Sequence, residues 1–208
     1  MLQYALIAGG LVSSLVYVAI NVIVPLAWDQ YSVTNQTVSE LSAIGAPTRG
    51  LWLAAVTPYL ILFAAFGLGI LRSAGTNRWL RITGSLILLY CAFNIYWPPM
   101  HQRAALAAGG ASLTDTLHLL WAAVAVALFL LIMGSAAMAS GPKFRAYTLV
   151  SGAALMVCGL LTSLAAPNVA ANLPTPWIGI WERLNIGVFL LWVAILSVSL
   201  LRRQQNAK

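Results

Sequence analysis

Apolar residues fall into six long runs, at about 5 to 28, 51 to 71, 82 to 97, 117 to 139, 147 to 166 and 180 to 201. Each is close to the roughly 20 residues that a helix needs to cross a hydrocarbon core about 30 Å thick. Between them lie a polar segment from Asp29 to Gly50, a basic turn from Arg72 to Arg81, a loop from Pro98 to Thr116, a second basic turn at 141–145, and the stretch from Pro167 to Gly179. Long and short connections alternate. Transmembrane β-barrel strands are half this length and alternate in polarity, so the pattern excludes a barrel. It predicts an all-α fold, a polytopic membrane helix bundle of about six transmembrane helices forming one domain over 1–208.

Composition agrees with the periodicity. Of 208 residues, 61% are hydrophobic and only 7% charged, against about a quarter charged in a soluble domain. The net charge of +7 would suit a nucleic-acid partner if it formed an exposed stripe. The cations sit at helix ends instead, so no nucleic-acid partner is expected and membrane lipids are. The first run is longer than a signal-peptide core, and no Lys or Arg precedes it, so it reads as a membrane helix. Cys91 and Cys158 lie inside apolar runs and read as packing residues. Arg72, Arg78, Arg81, Lys143, Arg145, Arg202, Arg203 and Lys208, 8 of the 11 cations, fall on one side of the predicted bundle. Cytoplasmic loops retain Lys and Arg, so this side and both termini are assigned to the cytoplasm.

The remaining polar residues favour the opposite, outer side. All four carboxylates (Asp29, Glu40, Asp115 and Glu182) and both histidines (His101 and His118) map there. Asn21, Asn94 and Asn185 lie in the outer parts of the first, third and sixth spans, and Thr57-Pro58 and Thr162-Ser163 add hydroxyls at similar depth. Polar groups at membrane depth face a bundle interior or a wet cavity. The expectation is therefore a polar pocket that opens outward, lined from among Asn21, Ser39, Asn94, His101, Arg103, Trp181, Arg183 and Asn185. Six of the eight tryptophans (Trp28, Trp52, Trp97, Trp121, Trp177 and Trp181) also fall at or near this end. An interfacial belt accounts for most of them, and a subset is available to line a headgroup site.

Helical spacing selects two pairs on shared faces, Asp115 with His118 and Glu182 with Asn185. In one account Asp115 orients His118 as a general base or metal ligand. In the other, Ser112 and Asp115 cap the helix start and His118 bonds a neighbouring helix. Thr37-Val38-Ser39-Glu40 matches a capping box. Glu182 either pairs locally with Arg183 at a helix start or takes a buried partner, Arg103 or His101.

The segments Val38-Ser39-Glu40-Leu41-Ser42-Ala43 and Trp181-Glu182-Arg183-Leu184-Asn185-Ile186-Gly187, with Asp115 and His118 opening the fourth span, resemble the prokaryotic membrane family labelled domain of unknown function 998. The resemblance covers most of the chain. It implies a multi-helix fold in a bacterial cytoplasmic (inner) membrane and no established activity. Ser39, Asp115 and His118 are also similar in kind to the residues of alkaline ceramidase and adiponectin-receptor type membrane hydrolases. The chain departs from that pattern because it has two histidines in all and no His-x-x-x-His pair, so a three-histidine zinc site is impossible and no metal is expected. Phosphate loops, dinucleotide fingerprints, Cys-x-x-Cys and nucleophile elbows are absent, and no cofactor is implied. Small residues four apart in the first span (Ala5, Gly9 and Ser13) permit close packing but fix no oligomeric state.

Three functions follow from these residues. The first is a pocket for a lipid headgroup or small molecule. The second is an outer-leaflet lipid- or isoprenoid-modifying enzyme with His118 and Asp115 as base and orienter, assisted by Glu40 or Glu182. The third is a small transporter, ranked last because no span carries an acidic residue at its middle.

Overall fold

The computed structural model describes residues 1–206. Six long helices carry the fold: α1 (Leu2–Ile23), α2 (Arg49–Ser73), α3 (Arg78–Phe93), α5 (Leu113–Met138), α6 (Pro142–Ala170) and α7 (Ile178–Asn206), with a short α4 (Arg103–Ala105) in the loop after α3. All but α3 and α4 are long and apolar enough to cross a membrane, and the chain is a multi-pass integral membrane protein. The third run, expected at 82 to 97, is helical four residues earlier. Asn77 accepts from the backbone N–H groups of Trp79 and Leu80 and starts α3 there, and Asn94 ends it ahead of Pro98-Pro99. At 16 residues, α3 is about 24 Å long.

The helices form a closed ring. Each long helix packs on the next in chain order, and α7 returns to α1. The Gln3 amide donates to the Gly69 carbonyl at the end of α2, and the Tyr4 hydroxyl to Gln204 near the end of α7. Both ends of the described chain therefore lie at the end of the bundle that carries the short basic turns. Lys208, counted above with the cytoplasmic cations, lies outside the described residues.

Close approach holds the ring shut on one side. A Cβ on Gly9 would lie 2.7 Å from the Leu62 carbonyl oxygen, so α1 meets α2 where only glycine fits. Ser14 donates to Leu190 and Ser197 donates to Ile7, hydroxyl to backbone carbonyl, at 2.9 and 2.7 Å, tying α1 to α7. Gly9, Gly10, Ser13 and Ser14 are thus spent inside the chain, whereas Ala5 is exposed. Inward-facing Phe63, Phe66, Ile132, Phe189 and Trp192 are fully buried and fill the inner half of the ring. Phe129 stacks on Phe189 at 3.7 Å between centroids, and Phe63 meets Phe189 edge-on at 6.1 Å. The outer half is closed over by the loops 28–48, 94–112 and 171–177.

Candidate functional site

The outer cap is built on Glu40. Its segment forms the capping box expected from the sequence: Thr37 N–H donates to Glu40 Oε2 at 2.8 Å, and Glu40 N–H donates back to the Thr37 hydroxyl at 3.2 Å. Arg103, from α4, then grips the same carboxylate with both arms of its guanidinium, Nε to Oε1 at 2.8 Å and Nη2 to Oε2 at 2.9 Å. Glu40 is 1% exposed. Burial alone would raise its pKa, but the Arg103 guanidinium and the Thr37 N–H outweigh that and hold the carboxyl below its usual range. Arg103 also reaches Thr175 at 3.2 Å, whose hydroxyl donates to the Asn35 carbonyl at 2.7 Å. One ion pair therefore clasps all three outer loops.

The other outer cations are similarly engaged. Arg183 donates to the Val33 carbonyl at 2.9 Å and to the Tyr31 hydroxyl at 2.8 Å, and packs over the Tyr31 ring. Arg49 donates to the Ser42 carbonyl. The expected pairing of Glu182 with Arg183, Arg103 or His101 does not form, because each of those residues has other partners. Glu182 instead accepts from the Val38 N–H and, at 3.2 Å, from the Ser39 hydroxyl.

Asp115 is the second correction. It caps α5 with Ser112, as one account expected, but it orients His101 and not His118. His101 donates from its backbone N to Oδ1 at 2.7 Å, and its Nδ1 lies 2.9 Å from Oδ2. His118 turns to the loop: its Nδ1 is 2.7 Å from the Pro98 carbonyl oxygen. A carbonyl only accepts, so Nδ1 carries the proton and the neutral ring keeps its lone pair on Nε2. His118 is 5% exposed, and its ring lies 5.6 Å from that of Trp121.

Behind the cap lies a cavity of about 950 Å³ in the outer half of the ring. Its walls are mostly apolar and aromatic, with Tyr17, Trp52, Tyr59, Tyr90, Trp97 and Trp121 among them. Ser39, Asn94, Asp115, His118, Glu182 and Asn185 also line it. On one side the walls are the outer halves of α5 and α6, where Leu119, Met156 and Leu160 line the cavity and are exposed. Helix α6 packs broadly on α7 and only slightly on α5, so the α5–α6 seam is the loosest join of the ring beside the cavity.

The expected site residues thus divide into two groups. Glu40, His101, Arg103 and Arg183 hold the cap together and do not line the cavity. Trp181 is half-buried beside the cap and also stays outside it, and Asp29 is exposed. Asn21 donates to Tyr17 at 3.0 Å within α1 and does not reach the cavity, and its Oδ1 is buried without a partner. Thr57 and Pro58 face outward, Thr57 bonding back to Leu53 at 3.0 Å, whereas Thr162 and Ser163 do line the cavity. The three tyrosines were missed by reading charged and amide residues alone. Tyrosines well inside apolar runs, away from the interfacial belt, were the available signal. Among the described residues, no group of three His, Cys, Asp or Glu side chains is placed to hold a metal ion.

A family model described as Protein of unknown function (DUF998) matches residues 11–199. No curated protein and no solved structure matches the chain.

Proposed function

The chain belongs to this DUF998 family, a membership that carries a membrane fold but no activity, and from the geometry of its outer half we propose that it binds an amphipathic lipid or lipid-like small molecule in a bacterial inner membrane. The observation that carries this reading is the cavity itself: about 950 Å³, apolar in its walls, polar at Ser39, Asp115, His118 and Glu182, and bounded by exposed residues of α5 and α6. Ligand sites combine apolar walls with a few polar groups that fix orientation. A tail enters through the α5–α6 seam and a head rests beneath the cap. The excess of Lys and Arg at the short-loop end supports a cytoplasmic orientation for that end, with the cavity then at the level of the outer leaflet.

The test fills the space. Ala122→Trp and Ala166→Trp each put an indole where a small side chain lines the cavity. Both variants are expected to insert and remain folded, and to lose at least nine-tenths of a co-purifying lipid seen with the wild type by mass spectrometry. Lipid content unchanged in both variants would remove the proposal.

A second reading, an enzyme acting on the bound lipid, is supported by one observation: the Pro98 carbonyl fixes the His118 tautomer that leaves Nε2 as an acceptor on a cavity-lining residue. In that reading His118 is the general base, and Asp115, spent on His101, is not its orienter. His118→Gln should then retain lipid binding while a lipid species accumulates in membrane extracts relative to wild type. Identical extracts, with binding retained, leave a binding protein without turnover.

A further inference from the structure

The carboxylates facing the cavity meet no lining cation. No Lys or Arg lines it among the described residues, because Arg49, Arg103 and Arg183 are all turned to carbonyls, Tyr31, Thr175 or Glu40. The ionisable groups that do line it, apart from tyrosine, are two carboxylates and one imidazole. Asp115 has His101 against it, but among the described residues Glu182 forms no ion pair and accepts only from an N–H and a hydroxyl, with the Arg183 guanidinium acting on it only through space.

Of the neutral groups, the Trp121 indole N–H is a buried donor without a partner on the cavity wall, whereas two asparagines and His118 present acceptors. Asn94 and Asn185 are 6% and 7% exposed and line the cavity. Each amide nitrogen donates to a backbone carbonyl, Tyr90 at 2.7 Å and Leu155 at 2.6 Å. Among the described residues, no donor reaches either Oδ1. His118 Nε2 is a third acceptor on the cavity wall. Thr162 and Ser163 spend their hydroxyl protons on Cys158 and Gly159. These acceptors open onto the cavity, and a ligand that supplies donors can pair with them.

Resting on the binding reading above, we propose that the cavity selects amphiphiles whose heads carry hydrogen-bond donors and no negative charge. Alkylammonium heads bind most tightly beside Glu182, sugar heads follow, and phosphate heads are rejected. Trp97 and Trp121, which stack at 6.2 Å on the cavity wall, add aromatic faces that favour a cation. An anionic head would meet two carboxylates with no basic side chain to receive it.

The experiment uses three probes with one tail, dodecylammonium, dodecyl maltoside and dodecyl phosphate, offered to the full-length protein in competition and read as adducts by native mass spectrometry. The wild type should carry at least ten times more ammonium than phosphate adduct. Glu182→Gln, which keeps an oxygen for the Val38 N–H, should reduce that ratio to about threefold or less. Equal adducts for the three heads, all lost in Ala122→Trp, overturn the selectivity and leave the cavity reading standing. Adducts that persist in Ala122→Trp overturn both.

Discussion

Arg103→Ala should lower stability by about 3–5 kcal/mol, the cost typical of stranding one partner of a buried ion pair. The substitution leaves the Glu40 carboxylate 1% exposed with only the Thr37 and Gln36 donors around it. It also releases α4 from Thr175, so the three outer loops lose their common anchor. Thermal unfolding in detergent measures the loss. Arg103→Met combined with Glu40→Gln should recover most of it, because the buried charge is gone from both sides. A double variant as unstable as Arg103→Ala would show that the clasp acts through something other than charge. The same pair sets an acid limit. The folded pKa of Glu40 is lowered, so its contribution is fully present above the ordinary glutamate range and is lost as pH falls through the lowered value. The wild type should lose this increment below about pH 4.5, whereas the double variant should have none of it to lose.

Gly179→Ala should cost about 3 kcal/mol, at the upper end of the overpacking range. Gly179 donates to the Thr34 carbonyl at 2.9 Å, and a Cβ there would overlap the carbonyl oxygens of Val33 and Gln36. These are backbone atoms that cannot swing aside. The start of α7 would separate from the 28–48 segment, and with it the Arg183 contacts to Val33 and Tyr31. Limited proteolysis distinguishes this local failure from general unfolding: cleavage should appear between residues 28 and 48 while the helices stay protected. Uniform cleavage, or none, would contradict this picture of the cap.

The helices were legible in the sequence because lipid imposes one rule along the whole chain, an apolar run of fixed length. The runs 51–71, 147–166 and 180–201 lie within α2, α6 and α7, the run 117–139 ends one residue past α5, and the run 5–28 continues past α1 through the turn at Val24–Ala27. The larger miss, α3, was misplaced by four residues because the Asn77 cap lies in a basic turn that hydropathy weighs as polar. The Glu40 capping box was legible for a related reason: its partners are three residues apart. Partners distant in the chain were not. Nothing in spacing tells Asp115 to choose His101 over His118, which shares its helix face, since that choice depends on where Pro98 to Gln102 lies across the cap. The same holds for Glu182, which takes a backbone N–H from a loop over a hundred residues away. Thr57 and Thr162 were equivalent in sequence, each a hydroxyl inside an apolar run. Only the rotation of each helix in the ring sends one to lipid and the other to the cavity.

The central claim is that the outer half of the ring holds an amphiphile between α5 and α6 with its head beneath the cap. The most direct measurement is an experimental structure of the protein purified from its native membrane. The account predicts elongated density along Leu119 and Leu160 that ends within hydrogen-bond reach of Glu182, His118 or Asn185. Closure of α5 onto α6, with their side chains filling the space and no elongated density between them, would contradict it.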